Sequence, residues 1–424
     1  MKAIELKGLD QTLYYEKLEN GLEVYMLPYK NKSNYTMHYL TKYGSIQTTF
    51  IPYGEKEKIT VPDGIAHFLE HKMFEQDGVD PFTYAAKTGT YSNASTNFEC
   101  TRYYFEGNQA FQDNLNYLLD FVGSPYFTDE NVEKEKGIIA EEIKQYDDEV
   151  EWVFEEEMKK ALLQKDNHRV DIAGTIESIN TIAKEDLYNT YYTFYQPSNM
   201  FLVISGDFKV EDAINTIKNN ETLRNAKTNF KVKVFQEEEP LAVNEKIKEL
   251  EFNVVNTKVG YGIKIPIKHI KDKYLFNLYI GLMLSIKFGL SSVFREKLKK
   301  EQLMTSFYME REIVGEYLIV VFKADSETPF ELIEEIKKEL ANIEIPEEEI
   351  NRLKKVWISS EVIMIDNINM SLENIVDDII EFGDIIPNKV EIFRSLNKKD
   401  YDKILSSIDF SNSSTVIIRP KEKE

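Results

Sequence analysis

The sequence predicts an α+β protein built of two successive halves of similar plan, and three observations carry that expectation. The chain has 424 residues, more than one hydrophobic core organises at roughly 100–200 residues per domain. Segments with apolar or aromatic residues at every second position are interspersed with segments of helical spacing, without the strand–helix–strand rhythm of a doubly wound sheet. The second half then repeats the order of the first: strands, a helical stretch, strands, helices and a last strand.

The first element is a sheet. From Gly21 to Ile51, LEVYML and YTMHYLTKYGS alternate and are broken at Asn31–Asn34 and Gly44, the pattern of paired strands. A helix follows at IAHFLEHKMF, where Ile65, Phe68, Leu69 and Met73 recur at helical spacing and Asp63 stands where an N-cap belongs. Residues 89–106 return to period two, 109–123 and 128–164 read as helical, the latter opened by Thr128, and FLVISGDF at 201–208 is a further strand. The Lys- and Glu-rich stretch 222–246 reads as a linker between one domain at 1–221 and another at 247–424. Beyond it the pattern gives strands near 250–267, a long helix at 272–302, strands at 304–323, helices over 328–408 and a final strand, STVIIRP. Within that region IEIPEEEI places Pro and three glutamates at a helix start, where negative charge suits the dipole.

A content of 42% hydrophobic and 12% aromatic residues fits a packed interior rather than disorder. The balance of 52 basic and 73 acidic side chains leaves −21, which repels phosphate backbones and anionic lipid headgroups. Nucleic acid and membrane are therefore not expected as partners, and no run of ~18 apolar residues reads as a span. Cys100 is the single cysteine, so no intramolecular disulfide forms, which favours the cytoplasm; the residue itself reads as a small strand side chain.

Of five histidines, His67 and His71 lie four apart with Glu70 between them. On a helix, positions i and i+4 share a face, so both imidazoles can reach one ion while Glu70 touches a water on it: the inverted H-x-x-E-H pattern. Three fixed positions in five also arise by chance, so the helix opened by Thr128 adds the specificity. There Glu135, Ile138, Ile139, Glu142 and Tyr146 fall on one face, and Lys134, Glu141, Lys144 and Asp148 on the other. A carboxylate on a stripe that should be buried needs a charged or hydrogen-bonding partner, and a divalent metal supplies one. Glu142 is then a third ligand. Glu135, two turns earlier, either accepts a hydrogen bond from a ligand imidazole or curls to solvent at the stripe edge. Two histidines and one carboxylate leave Zn²⁺ an open fourth position, the composition of hydrolytic sites, with Glu70 as general base. The expectation is a zinc endopeptidase with one Zn²⁺ per chain. His38, His168 and His269 have no partner at ligand spacing and read as non-ligands.

These residues resemble the pitrilysin/insulinase family of zinc peptidases, which includes the mitochondrial processing peptidase. The resemblance rests on GIAHFLEHKMFE, SNASTNFECTRYYF, EKEKGIIAEEIKQY, GTIESI and YQPSNMFLVISGD, all in the first half and at family spacing, and the second half matches in layout. The likeness is to short bacterial members regarded as cytoplasmic. It implies two tandem homologous domains, each a mainly antiparallel sheet covered by helices, closing over a central chamber. It implies zinc on His67, His71 and Glu142, Glu70 as base and Glu135 as an additional glutamate. It also implies that the strand around Asn93, Ala94 and Ser95 is the edge to which a peptide adds as an extra strand; an ordinary edge strand of small residues is the plainer reading of the same segment.

The sequence departs from that pattern in one place. Complete members carry an arginine and, a few residues on, a tyrosine in the second domain, and here Leu298 and Thr305 occupy those positions, with Arg295 and Tyr308 about a turn out of register. Since one missing preorganised donor can cost ~10²–10³ in rate, the resemblance implies a heterodimer in which a homologous non-zinc subunit supplies the pair; a homodimer is the other form. The alternative is a zinc-binding but inactive scaffold or substrate-binding subunit.

Overall fold

The computed structural model describes residues 1–226 and 230–421. The first sheet contains β1 (Lys2–Glu5), β2 (Thr12–Lys17), β3 (Glu23–Pro28) and β4 (Tyr35–Thr41). After a short ribbon of β5 (Thr49–Phe50) and β6 (Ile59–Thr60), the sheet is completed by β7 (Tyr91–Thr96), β8 (Thr101–Gly107) and β9 (Met200–Gly206). Its order is β1-β2-β3-β9-β4-β8-β7, which leaves β7 at one edge. The second sheet, of β10 (Ile247–Phe252), β11 (Lys258–Pro266), β12 (Ser306–Val314), β13 (Tyr317–Asp325) and β14 (Ser413–Pro420), has the order β10-β14-β11-β13-β12.

The two sheets repeat one plan. In the first, β3 pairs parallel with β9, and antiparallel pairs β9/β4, β4/β8 and β8/β7 follow. In the second, β10 pairs parallel with β14, followed by antiparallel β14/β11, β11/β13 and β13/β12. This is the α+β class expected, doubled along the chain. Strands β1 (KAIE), at the other edge, and β2 (TLYYEK), beside it, lack strict alternation and were not marked as strands by the sequence pattern.

Central strands β4, β9 and β11 are buried on nearly every residue, so both faces of each sheet must be covered. On the first sheet, Val24, Met26, Met37, Tyr39, Leu202 and Ile204 face one core, while Tyr25, Leu27, Leu40, Phe201 and Val203 face a second, closed by Leu372, Ile375, Val376 and Ile379 of helix Ile368–Phe382. On the second sheet, Val259, Tyr261, Leu318 and Val320 face one core, and Ile319, Val416 and Ile418 face another, closed by Phe154, Met158 and Leu162 of helix Val150–Leu162. The covering helices thus come from the opposite half of the sequence. One compact unit comprises Met1–Lys144, Val170–Gln236 and Ser360–Glu391; the other comprises Gln145–Arg169, Glu237–Ser359 and Ile392–Glu424.

Several local expectations are corrected. The motif helix spans Ile65–Met73 and its cap is Gly64, in the left-handed region at φ 87, not Asp63. The Asp63 carbonyl instead accepts from Ser178 Oγ at 2.8 Å. The helical stretch 128–164 is two helices, Asp129–Asp147 and Val150–Leu162, and 272–302 is likewise two, Lys273–Phe288 and Val293–Lys300. Thr128 does open its helix, through reciprocal bonds with Asn131. Ile138 is exposed, because the buried stripe of that helix runs through Val132, Glu135, Ile139 and Ile143. Residues 227–229 of the expected linker lie outside the described residues. Its described part is fastened at two places: the Ile51 N–H donates to the Lys233 carbonyl and the Phe235 N–H to the Thr49 carbonyl, and buried Glu239 accepts from the backbone of Gln164, Lys165 and Asp166 and from Lys264. Among the described residues, one stretch, Lys273–Lys300, is long and apolar enough to cross a membrane, yet 56% of its most apolar window is buried within the fold, as in a core helix.

Candidate metal centre and active site

The motif helix is seated by its apolar face: Ile65, Phe68, Leu69 and Met73 are all fully or almost fully buried. Its start is fixed by Gly64, where an added Cβ would lie 2.3 Å from the Ala173 carbonyl oxygen. With that face inward, His67, Glu70 and His71 turn toward helix Asp129–Asp147.

There the ligand candidates converge. His67 Nε2 lies 3.7 Å from one Glu142 oxygen and His71 Nε2 lies 3.6 Å from the other. One donor atom from each of the three lies within 4.8 Å of the others, and among the described residues no second such group occurs. The spacing is informative. A direct ion pair or hydrogen bond would draw nitrogen and oxygen to about 2.7–3.2 Å, whereas ligands held at ~2.0–2.1 Å around a tetrahedral ion stand roughly 3.3–3.5 Å apart. The donor set, two imidazole nitrogens and a carboxylate, fits zinc.

Burial, reinforced by the nearby His71, drives the His67 pKa down to about 4 against the pull of Glu142 and Glu135. His67 is therefore neutral at pH 7, with a lone pair to offer. Burial would lower His71 too, but the hydrogen bond and charge of Glu135 outweigh it and raise its pKa. His71 Nδ1 donates to Glu135 Oε1 at 3.0 Å, an arrangement that points Nε2 at Glu142 and fixes the tautomer. Glu135 is 9% exposed and bonded to the His71 imidazole, and does not curl to solvent. Burial would raise its pKa, yet the His71 bond and the charges of His71 and Lys72 hold it below the usual range.

Glu70 is also nearly buried, and burial pushes its carboxyl above the usual range, opposed by a hydrogen bond from Thr96 and the charge of His71. A raised carboxyl beside candidate metal ligands is what a base that takes and returns a proton requires.

Asn93, Ala94 and Ser95 lie on β7, whose outer side has no partner strand among the described residues. Asn93 Oδ1 accepts from the Ala94 backbone N–H at 2.9 Å, and Ser95 Oγ accepts from Arg102 Nε at 2.6 Å. Arg102 is itself held by both oxygens of Glu373. In the other unit Leu298 is fully buried in the core, while Arg295 is turned to the Phe288 and Phe307 carbonyls and Tyr308 is exposed. Of the remaining histidines, His38 is buried in β4, and His168 Nδ1 pairs with Asp166 at 2.6 Å.

Three residues at the site escaped sequence reasoning. Thr96 shares a strand face with Ala94, so period two would have placed it. Lys72, fully buried beside His71, donates to the Asn131 carbonyl at 3.1 Å and to Glu75, and lies 3.7 Å from Glu135. No local signal marks it or Arg102, whose partner is far along the chain.

Comparison with known proteins gives the family and the fold. Residues 50–176 match Insulinase (Peptidase family M16), and residues 181–356 match the Peptidase M16 inactive domain. The zinc protease YmfH of Bacillus subtilis, itself uncharacterized, is 40% identical over 343 residues, 80% of each chain. An M16-like peptidase from Alicyclobacillus acidocaldarius superposes with a TM-score of 0.91 at 29% identity, over 97% of this chain and 99% of that one. A protease from Helicobacter pylori shares the fold, with a TM-score of 0.81 at 19% identity over 96% and 99% of the two chains. The chain belongs to the insulinase family, peptidase family M16.

Proposed function

We propose that this chain is a zinc-dependent endopeptidase, or the zinc subunit of one, with one Zn²⁺ on His67, His71 and Glu142. The observation that carries the reading is the convergence of two imidazole nitrogens and one carboxylate at ligand spacing beside a buried glutamate. Zinc, when bound, supplies Lewis acidity that activates water and polarises a peptide carbonyl. The chain's own residues do the rest. Glu70 takes a proton from the attacking water and passes it to the leaving amine, Glu135 orients His71, and the open edge of β7 at Asn93, Ala94 and Ser95 binds an extended peptide by main-chain pairing.

Leu298 is a core residue and Thr305 has no basic or phenolic group, so the oxyanion element is assigned to a homologous partner subunit in a heterodimer, with a homodimer as the other arrangement. A cytoplasmic location belongs to the same proposal. The alternative is a zinc-binding subunit without useful hydrolysis, motivated by those two positions.

Glu70→Gln tests the reading in the purified chain, alone and mixed with a candidate homologous subunit. It should keep zinc and lose cleavage by at least ~10²-fold. An unchanged rate excludes Glu70 as the base. A wild-type chain that binds zinc but cleaves no peptide with any partner supports the scaffold alternative, and equal rates with and without the partner remove the heterodimer from the proposal.

A further inference from the structure

We infer that Thr96 is a positioning residue for Glu70, tying the geometry of the base to the strand edge where a peptide would pair. This rests on the peptidase reading above and is separable from it by experiment.

β7 alternates its side chains: Ser92 and Ala94 are buried under the motif helix, and Thr96, last on that face, reaches the same helix, while Tyr91, Asn93 and Ser95 turn to the opposite side. Thr96 Oγ lies 2.6 Å from Glu70 Oε2 and 3.3 Å from Thr101 Oγ. Thr101 Oγ in turn lies 3.0 Å from the Tyr43 carbonyl oxygen. The proton directions follow from counting. A carbonyl only accepts, so Thr101 directs its single hydroxyl proton to Tyr43 and can only accept from Thr96. Thr96 also has one proton, and the shorter, charge-assisted bond to the carboxylate claims it. Glu70 is thereby held at one oxygen by a hydroxyl on the edge strand, and that hydroxyl is backed by a threonine bonded to the backbone.

A glutamate has three side-chain torsions, and burial alone does not select one carboxylate orientation. Removing the hydroxyl leaves the Glu70 oxygen without this donor, free to swing. A base that swings loses alignment in the transition state rather than affinity for the peptide, and displacement by ~1 Å can cost ~10²-fold. Thr96→Val keeps shape and strand preference but loses the bond, whereas Thr96→Ser keeps the bond.

The test compares Thr96→Val, Thr96→Ser and Glu70→Gln with the wild type for peptide cleavage, zinc content and the crystal structure of each metal-free variant. Thr96→Val should lower kcat about 10- to 100-fold with KM within about twofold and zinc content unchanged. Thr96→Ser should recover to within about threefold of the wild type, and the metal-free Thr96→Val structure should show the Glu70 carboxylate rotated from its wild-type position. Thr96→Val with full kcat, Thr96→Ser as slow as Thr96→Val, or an unmoved carboxylate overturns the inference. If Glu70→Gln is inactive while Thr96→Val is fully active, this inference alone falls; if Glu70→Gln cleaves normally, the peptidase reading falls and takes it along. Should no chain cleave, the position of the Glu70 carboxylate in metal-free Thr96→Val decides the matter by itself.

Discussion

Glu141 and Glu142 are adjacent in sequence and about 100° apart around their helix, and their surroundings differ accordingly. Glu141 is exposed and pairs with Lys144, one turn along, while Glu142 faces both imidazoles at 3.6–3.7 Å. Glu142→Ala should weaken zinc binding by about tenfold or more, as loss of a ligand or its orienting partner does, and Glu141→Ala should leave it unchanged; titration against a zinc chelator reads both. Equal effects would mean that the helix face has been misassigned. The grouping of His67, His71 and Glu142 was legible because i, i+4 spacing and a carboxylate two turns along a helix face are local facts. The contacts of Lys72 and Thr96 were not: period two puts Thr96 on the face of Ala94, but what each residue touches is set by which strand and helix the fold brings against it.

At the scale of the element, the motif helix illustrates what a helical period leaves open. Spacing located the helix and its buried face, but its start depends on one positive φ at Gly64 and on the Ala173 carbonyl packed against it, neither visible in a pattern of apolar residues. Gly64→Ala should destabilise the protein by about 1–3 kcal/mol through left-handed strain and the clash, with zinc binding weakened because the helix start carries His67. A Gly64→Ala variant with wild-type denaturant midpoint and zinc affinity would show that the turn has room to relax. The same limit explains Ile138. Assigning a face from spacing leaves tens of degrees of freedom, and the structure settles the stripe one position round, on Ile139 and Ile143.

Over the whole molecule, the doubling of the sheet plan was legible as a repeated order of patterns, whereas the exchange of covering helices between the halves was not. Central strands hydrophobic on both faces require a second layer without saying which helix supplies it. Acid stability is another global property. His38 is buried in β4, and burial, reinforced by the charge of Arg102, drives its pKa down to about 3. The nearest Glu373 oxygen is 3.9 Å away, and that carboxylate is engaged by Arg102. The ordinary histidine value is about 6.5. Between about 6.5 and 3, the unfolded chain binds a proton that the folded chain refuses, so stability falls as pH falls through that window, by at most about 1.4 kcal/mol per unit. From pH 7 to pH 5 this one residue should account for a loss of about 2 kcal/mol. His38→Leu should remove that part of the slope in urea denaturation at the two pH values, and an unchanged slope would mean that His38 is protonated in the folded state.

The proposed chemistry turns on where a zinc ion sits. Anomalous diffraction at the zinc edge from crystals of the zinc-loaded chain measures this directly. The expected result is a single peak per chain at ~2.0–2.2 Å from a nitrogen of His67, a nitrogen of His71 and a carboxylate oxygen of Glu142, with His71 still bonded to Glu135. A peak that leaves Glu142 uncoordinated, or zinc bound only elsewhere on the surface, would contradict it.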